Sequence, residues 1–267
     1  QVAGRVWSSE RLDMHRWWMT RRRRSVPASA VPFTLHAFMP RKSELTRLLS
    51  LPTRTPALSA YTARERELIT TLKTPRQVQR YLRALPYNWE ATLRTFRGSV
   101  EAGRAQCLEA VFFAAAVLEH HGYPPTVVDI ESTDGLDHVI YLFQRGGRWG
   151  SIGRSRDYGL HGRAPAYASV ATLVRSYMDP YVDGSGRINA YGVAHLDALS
   201  PADWRLSTRS VWRVEQALID MPHTDLPTGE RRYARALRRD TAFKASGAPT
   251  NRRTMQRLYG DQVRHWW

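Results

Sequence analysis

Cys107 is the only cysteine in the chain, and its surroundings are those of a nucleophile. It stands in Gly103-Arg104-Ala105-Gln106-Cys107-Leu108-Glu109-Ala110, at the opening of the strongest helical pattern in the sequence. The first N–H groups of a helix have no intrahelical acceptor, and the helix dipole favours negative charge there. A thiol at that place is expected to ionise readily and attack carbonyl carbon at neutral pH, with Arg104 adding to the positive field. The position also suits a plain structural cysteine, since Cys107 lies one i+4 step before Val111 on the apolar stripe of the helix. His138 is its complement. It follows Gly135-Leu136-Asp137 and opens a strand. Packed on the cysteine helix, that strand would turn the imidazole toward the thiol and Asp137 away. A cysteine–histidine pair is the smallest unit that supports acyl transfer through a thioester.

The helix that presents Cys107 is expected over about 105–121, with Gly122 in the left-handed capping position and Pro124-Pro125 preventing continuation. Before it, Thr62 and Glu65 match a capping box opening a helix through residue 72. Thr74-Pro75 read as N-cap and first residue of a helix to residue 85, with Val78, Tyr81, Leu82 and Leu85 on one face. After it, residues 126–130, 138–144 and 148–152 read as strands, the last two joined by a tight turn at Gly146-Gly147. A helix over 169–178 and a short strand over 187–191 follow. Helices, one long helix and then an antiparallel meander make an α+β order, not the alternation of a doubly wound sheet.

The first 60 residues are interrupted by Pro27, Pro32, Pro40, Pro52 and Pro56, and only 43–49 read as helical. The chain thus divides into a basic, largely irregular extension over 1–60, a domain over 61–206 and a basic helical extension over 207–267.

The segments Ala105-Gln106-Cys107-Leu108-Glu109-Ala110, Gly122-Tyr123-Pro124-Pro125, Asp137-His138-Val139-Ile140 and Gly147-Arg148-Trp149-Gly150, in that order, resemble the transglutaminase-like superfamily. The similarity spans roughly residues 70–200 and is nearest to bacterial members of that superfamily. It implies a papain-like core, with the cysteine opening a helix and the histidine and a carboxylate on successive strands of an antiparallel sheet. It also implies a cysteine hydrolase or acyltransferase that acts on a protein or peptide amide and uses no cofactor or metal. The superfamily usually orients the imidazole with an aspartate after the second of these strands. Here that place falls near Gly153, which has no side chain to offer. Ser155 and Asp157 are the candidates to replace it, Ser155 being closer to the strand end. In the implied mechanism the Cys107 thiolate, helped by His138, forms a thioester that passes to water or to an amine. Backbone N–H groups at the helix start hold the oxyanion, and Gln106 either adds a donor or caps the helix.

Charge points to a second reading. The net charge is +16, distributed as +8 over residues 1–60, +3 over 61–210 and +5 over 211–267. A nearly neutral middle with basic ends describes a domain with cationic extensions, including the arginines at 21–24. A catalytically decayed member of the same superfamily would serve as a scaffold whose ends engage nucleic acid or another acidic partner. One cysteine allows no internal disulfide and leans the assignment to the cytoplasm. The longest apolar run, 110–118, is too short to span a membrane. Met19 is a possible internal start, and residues 25–39 make a poor secretory signal. His120-His121 diverge at a helix end and lack a third ligand at metal spacing. The acidic, glycine-rich run 179–186 lacks the spacing of a calcium loop and reads as a turn. Trp17-Trp18 and Trp266-Trp267 lie beside basic residues, where stacking on bases or settling at a membrane surface is one reading; packing on the domain or plain disorder is the expected one.

Overall fold

The computed structural model describes residues 42–267. The arginines at 21–24, Trp17, Trp18 and the possible start at Met19 lie outside the described residues. The described chain is mixed α+β, with ten α-helices and one six-stranded sheet, all of whose strand pairs are antiparallel. The helices are α1 (Lys42–Leu49), α2 (Ala63–Thr71), α3 (Pro75–Ala84), α4 (Phe96–Ala102), α5 (Cys107–Leu118), α6 (Val170–Tyr181), α7 (Leu196–Leu199), α8 (Trp212–Asp220), α9 (Glu230–Ala245) and α10 (Arg252–Tyr259). The strands are β1 (Thr126–Ser132), β2 (His138–Arg145), β3 (Arg148–Ile152), β4 (Arg163–Tyr167), β5 (Ile188–His195) and β6 (Thr224–Asp225), in the order β4-β3-β2-β1-β5-β6.

Local chemistry sets the elements around the site. Thr62 and Glu65 form the reciprocal capping box of α2, and Thr74 caps α3 with Pro75 inside its first turn. α5 is apolar on every side, since the sheet covers one face and α2, α3 and α4 cover the other. Phe112 and Phe113 are fully buried in it, each worth about 2–3 kcal/mol of transfer free energy. The helix tightens into a 3-10 turn at Glu119–His121 and stops at Gly122, whose φ of 81° is left-handed. The two adjacent histidines do diverge: His121 Nε2 meets the Ile69 carbonyl at 2.7 Å, while His120 lies edge-on to Tyr61.

The sheet carries two cores. Val127, Val139, Tyr141 and Phe143 pack on α5, whereas Val128, Ile130, Ile140 and Leu142 pack on α6. Among the elements that escaped the sequence pattern are α4 and β4. α4 is only seven residues long, capped by Thr95 and closed by left-handed Gly103. β4 carries Pro165 and is tolerated because it is an edge strand.

The stretches read as extensions are joined to this framework. Arg54 donates to the Asp197 carboxylate and to the carbonyls of Asp197 and Ser200. Val211, Val214 and Leu218 belong to the α5 core, and β6 completes the sheet beside β5. Trp266 is buried, and Trp267 stacks on Phe143 at 5.7 Å. Among the described residues no helix is long and apolar enough to cross a membrane.

Candidate active site

Cys107 is the first residue of α5, and Gln106 is its N-cap. The Gln106 side-chain oxygen accepts from Leu108 N at 3.1 Å and from the Cys107 thiol at 3.0 Å. The capping role is therefore real, and it fixes the amide so that Nε2 remains as a donor. Two residues on, buried Glu109 accepts from Gln106 N, Arg94 N and Asn88 Nδ2, tying the segment before α4 to the start of α5.

A cleft of about 480 Å³ opens at this end of the sheet. Gln106, Cys107, His138, Ser155 and Asp157 all line it, so the structure brings every site residue read from the sequence to one cavity. The exposed ring of Trp89 stands at its edge. Its walls are acidic: Asp129, Asp134, Asp137, Asp157, Asp183 and Glu215 outnumber Arg156 and Lys244.

Three details differ from the sequence reading. First, the thiol is not activated at rest. Cys107 keeps part of its surface open, yet burial is the largest influence and pushes its pKa up to about 12. The N–H groups of Leu108 and Val139 oppose this, and Glu215 and Glu109 reinforce it. The helix terminus is outweighed by desolvation.

Second, His138 does not share a sheet face with the cysteine helix. Its alternation partners Ile140 and Leu142 face α6, and its ring lies 5.8 Å from that of Tyr177. The thiol instead lies against the N–H of the next residue, Val139, and no hydrogen bond joins sulfur to imidazole.

Third, the acceptor for the imidazole is neither Ser155 nor Asp157. His138 Nε2 donates to the backbone carbonyl of Leu160 at 2.8 Å. The Ser155 hydroxyl accepts from Asp157 N at 3.1 Å. The Leu160 carbonyl was invisible to sequence reasoning because a main-chain acceptor carries no residue-type signal. A Cβ placed on Gly153 would lie 3.6 Å from His138 Nε2, so the position counted out in the sequence does adjoin the imidazole.

The Leu160 bond fixes the tautomer with the proton on Nε2. Nδ1 is then the basic nitrogen, on a side chain that lines the cleft. Burial lowers the His138 pKa to about 4. Thiol and imidazole are thus both neutral at pH 7.

A second histidine, bonded to Asp129 of the cleft wall, is in the opposite charge state. His223 Nδ1 meets the Met221 carbonyl at 2.8 Å and Nε2 meets the Asp129 carboxylate at 3.0 Å, so both nitrogens donate and the ring is an imidazolium. Burial alone would lower its pKa, but Asp129, with Glu131 at 3.9 Å, outweighs burial and raises it. A raised histidine stabilises the fold fully below its unfolded pKa of about 6.5 and loses that contribution as pH climbs through the folded value. The urea midpoint is expected to fall as pH rises above about 6.5. His223→Gln should flatten that decline, and an equally steep decline in the variant would contradict the assignment.

Among the described residues no group of three or more histidine, cysteine, aspartate or glutamate side chains is arranged to hold a metal ion. Of the run 179–186, residues 179–181 finish α6, and the rest bends with the Asp183 carboxylate accepting from Ser185 N and Gly186 N. The chain matches no family model and no curated protein.

Proposed function

We propose that this chain is a papain-like, transglutaminase-like cysteine enzyme that transfers or hydrolyses acyl groups through a Cys107 thioester. One observation carries the reading: the first residue of a buried helix is a thiol, and a histidine of fixed tautomer lines the same cleft. Because both groups rest neutral, His138 acts as a general base at the moment of attack and not as half of a standing ion pair. The thiol proton passes to Nδ1 as sulfur bonds to the carbonyl carbon of an amide or ester. The oxyanion is held by N–H groups at the α5 start and by Gln106 Nε2. Collapse expels the amine or alcohol, which takes the proton from the imidazole and leaves a thioester. Water or a second amine then releases the acyl group and restores the thiol. The acidic walls disfavour a polyanionic occupant, which leaves protein or peptide amides as the substrate class.

The test uses p-nitrophenyl acetate and intact mass. A single added acetyl group on the chain, absent in Cys107→Ala and formed at least tenfold more slowly in His138→Ala, is the expected result. Acetylation that survives Cys107→Ala would remove the proposal.

A scaffold with a decayed site is the second reading. The resting thiol, bonded to Gln106 and not to imidazole, favours it. So does α9, where Arg231, Arg235 and Arg238 are exposed along one helical face while Arg232 and Arg239 are spent on Asp179. Binding of a duplex DNA fragment that weakens steeply with salt and survives Cys107→Ala would favour this reading.

A further inference from the structure

Arg163 is fully buried, and among the described residues no carboxylate pairs with its guanidinium. An uncompensated buried cation costs several kcal/mol. This one is met only by neutral groups. Nη2 donates to the Gly159 carbonyl at 2.6 Å and Nη1 to the His161 carbonyl at 2.7 Å. Nε donates to Ser176 Oγ at 3.2 Å. The guanidinium is sandwiched between the rings of Tyr177 at 4.0 Å and Trp266 at 4.5 Å.

The two short bonds have a geometric consequence. They pin the peptide groups on either side of the one that carries the Leu160 carbonyl. That carbonyl is left pointing the other way, at His138 Nε2. The same loop is held from its far side by Gln79, whose amide bridges Gly153 N, Gly153 O and Gly162 N. Trp267 N donates to the Gly162 carbonyl, so residues 266 and 267 close over the arginine.

We propose that Arg163, covered by Trp266, is the positioning residue of His138, setting the imidazole tautomer through the Leu160 carbonyl in place of an acidic side chain. The functional value of the placement rests on the acyl-transfer reading above; the tautomer itself does not. Arg163 touches no reacting atom and acts wholly through the loop.

The experiment is nitrogen NMR of histidine-labelled full chain, with the His138 signal assigned among the nine histidines by His138→Gln. The native chain should show one tautomer, protonated on Nε2. Arg163→Lys, which cannot reach both carbonyls and Ser176 together, should show a mixture of tautomers and a His138 pKa shifted up toward the ordinary histidine value. Trp266→Ala, a milder change should Arg163→Lys fail to fold, should shift the same signal in the same direction, and Trp266→Phe should restore it. A folded Arg163→Lys chain that keeps a single Nε2-protonated signal would overturn the inference, and so would a native-like signal in folded Trp266→Ala. An Arg163-dependent tautomer in a chain that never acetylates Cys107 keeps this inference and removes the enzymatic one. Acetylation with an Arg163-independent tautomer does the reverse.

Discussion

At pH 7, iodoacetamide is expected to modify Cys107 in the folded chain roughly a thousandfold more slowly than in the urea-unfolded chain. The reason is the thiolate fraction. An unfolded cysteine has a pKa of roughly 8.5, whereas burial holds the folded thiol near 12. The rate should climb with pH without levelling below about pH 10. His138→Ala should leave this resting rate within about twofold, because imidazole and sulfur share no bond. Under the proposed mechanism, in which the histidine takes the thiol proton during attack, the same substitution should cripple acyl transfer. A folded chain that reacts fast, with a midpoint under 8 and a dependence on His138, would mean that a thiolate–imidazolium pair stands ready before substrate arrives. The resting site would then be charged and not neutral.

Arg205→Met is expected to cost about 3–5 kcal/mol, lowering the thermal midpoint by on the order of 10 °C. Arg205 Nε and Nη2 grip the Glu119 carboxylate at 2.8 and 2.6 Å, and Nη1 meets Asp197 at 2.6 Å. All three side chains are almost wholly buried. The two carboxylates respond differently. Burial raises the pKa of Glu119 despite the arginine, whereas for Asp197 the bonds from Arg205 and Arg54 N outweigh burial and lower it. Without Arg205, both become buried anions lacking their main partner, and both pKa values rise. The variant should therefore come closest to its parent near pH 4, where the carboxylates can take up protons. It should fall behind as pH rises to 7. An equal deficit at both pH values in urea titrations would show that lost packing, and not stranded charge, carries the effect.

The fold was legible wherever one residue type answers one local demand. Gly122 with Pro124-Pro125 marked the end of α5, the Thr62–Glu65 box opened α2, and Gly146-Gly147 turned β2 into β3. The failures had physical causes too. Residues 139 to 143 are apolar at every position because α5 and α6 cover both sides of the sheet. With no alternation to read, the face that His138 occupies could not be taken from its neighbours. β4 was hidden by Pro165 and by the absence of an alternating pattern. The candidate site residues were chosen by type and line one cleft, but their charge states could not be read that way. Whether a helix terminus or desolvation wins at Cys107 depends on packing across the whole chain, and so does the choice of the Leu160 carbonyl as the partner of His138.

The buried Glu109 carboxylate fixes the mechanics of the cleft. Through Asn88 Nδ2 and Arg94 N it fastens the wall bearing Trp89 to the second residue after the nucleophile. The opposite wall is cross-braced as well, by Ser185 Oγ on Asp134 and by the Tyr181 hydroxyl on the Leu136 carbonyl. Each wall is thus braced by hydrogen bonds of its own, with the end of the sheet lying between them. Any displacement of the Trp89 segment would therefore be felt at the first turn of α5, where the sulfur sits.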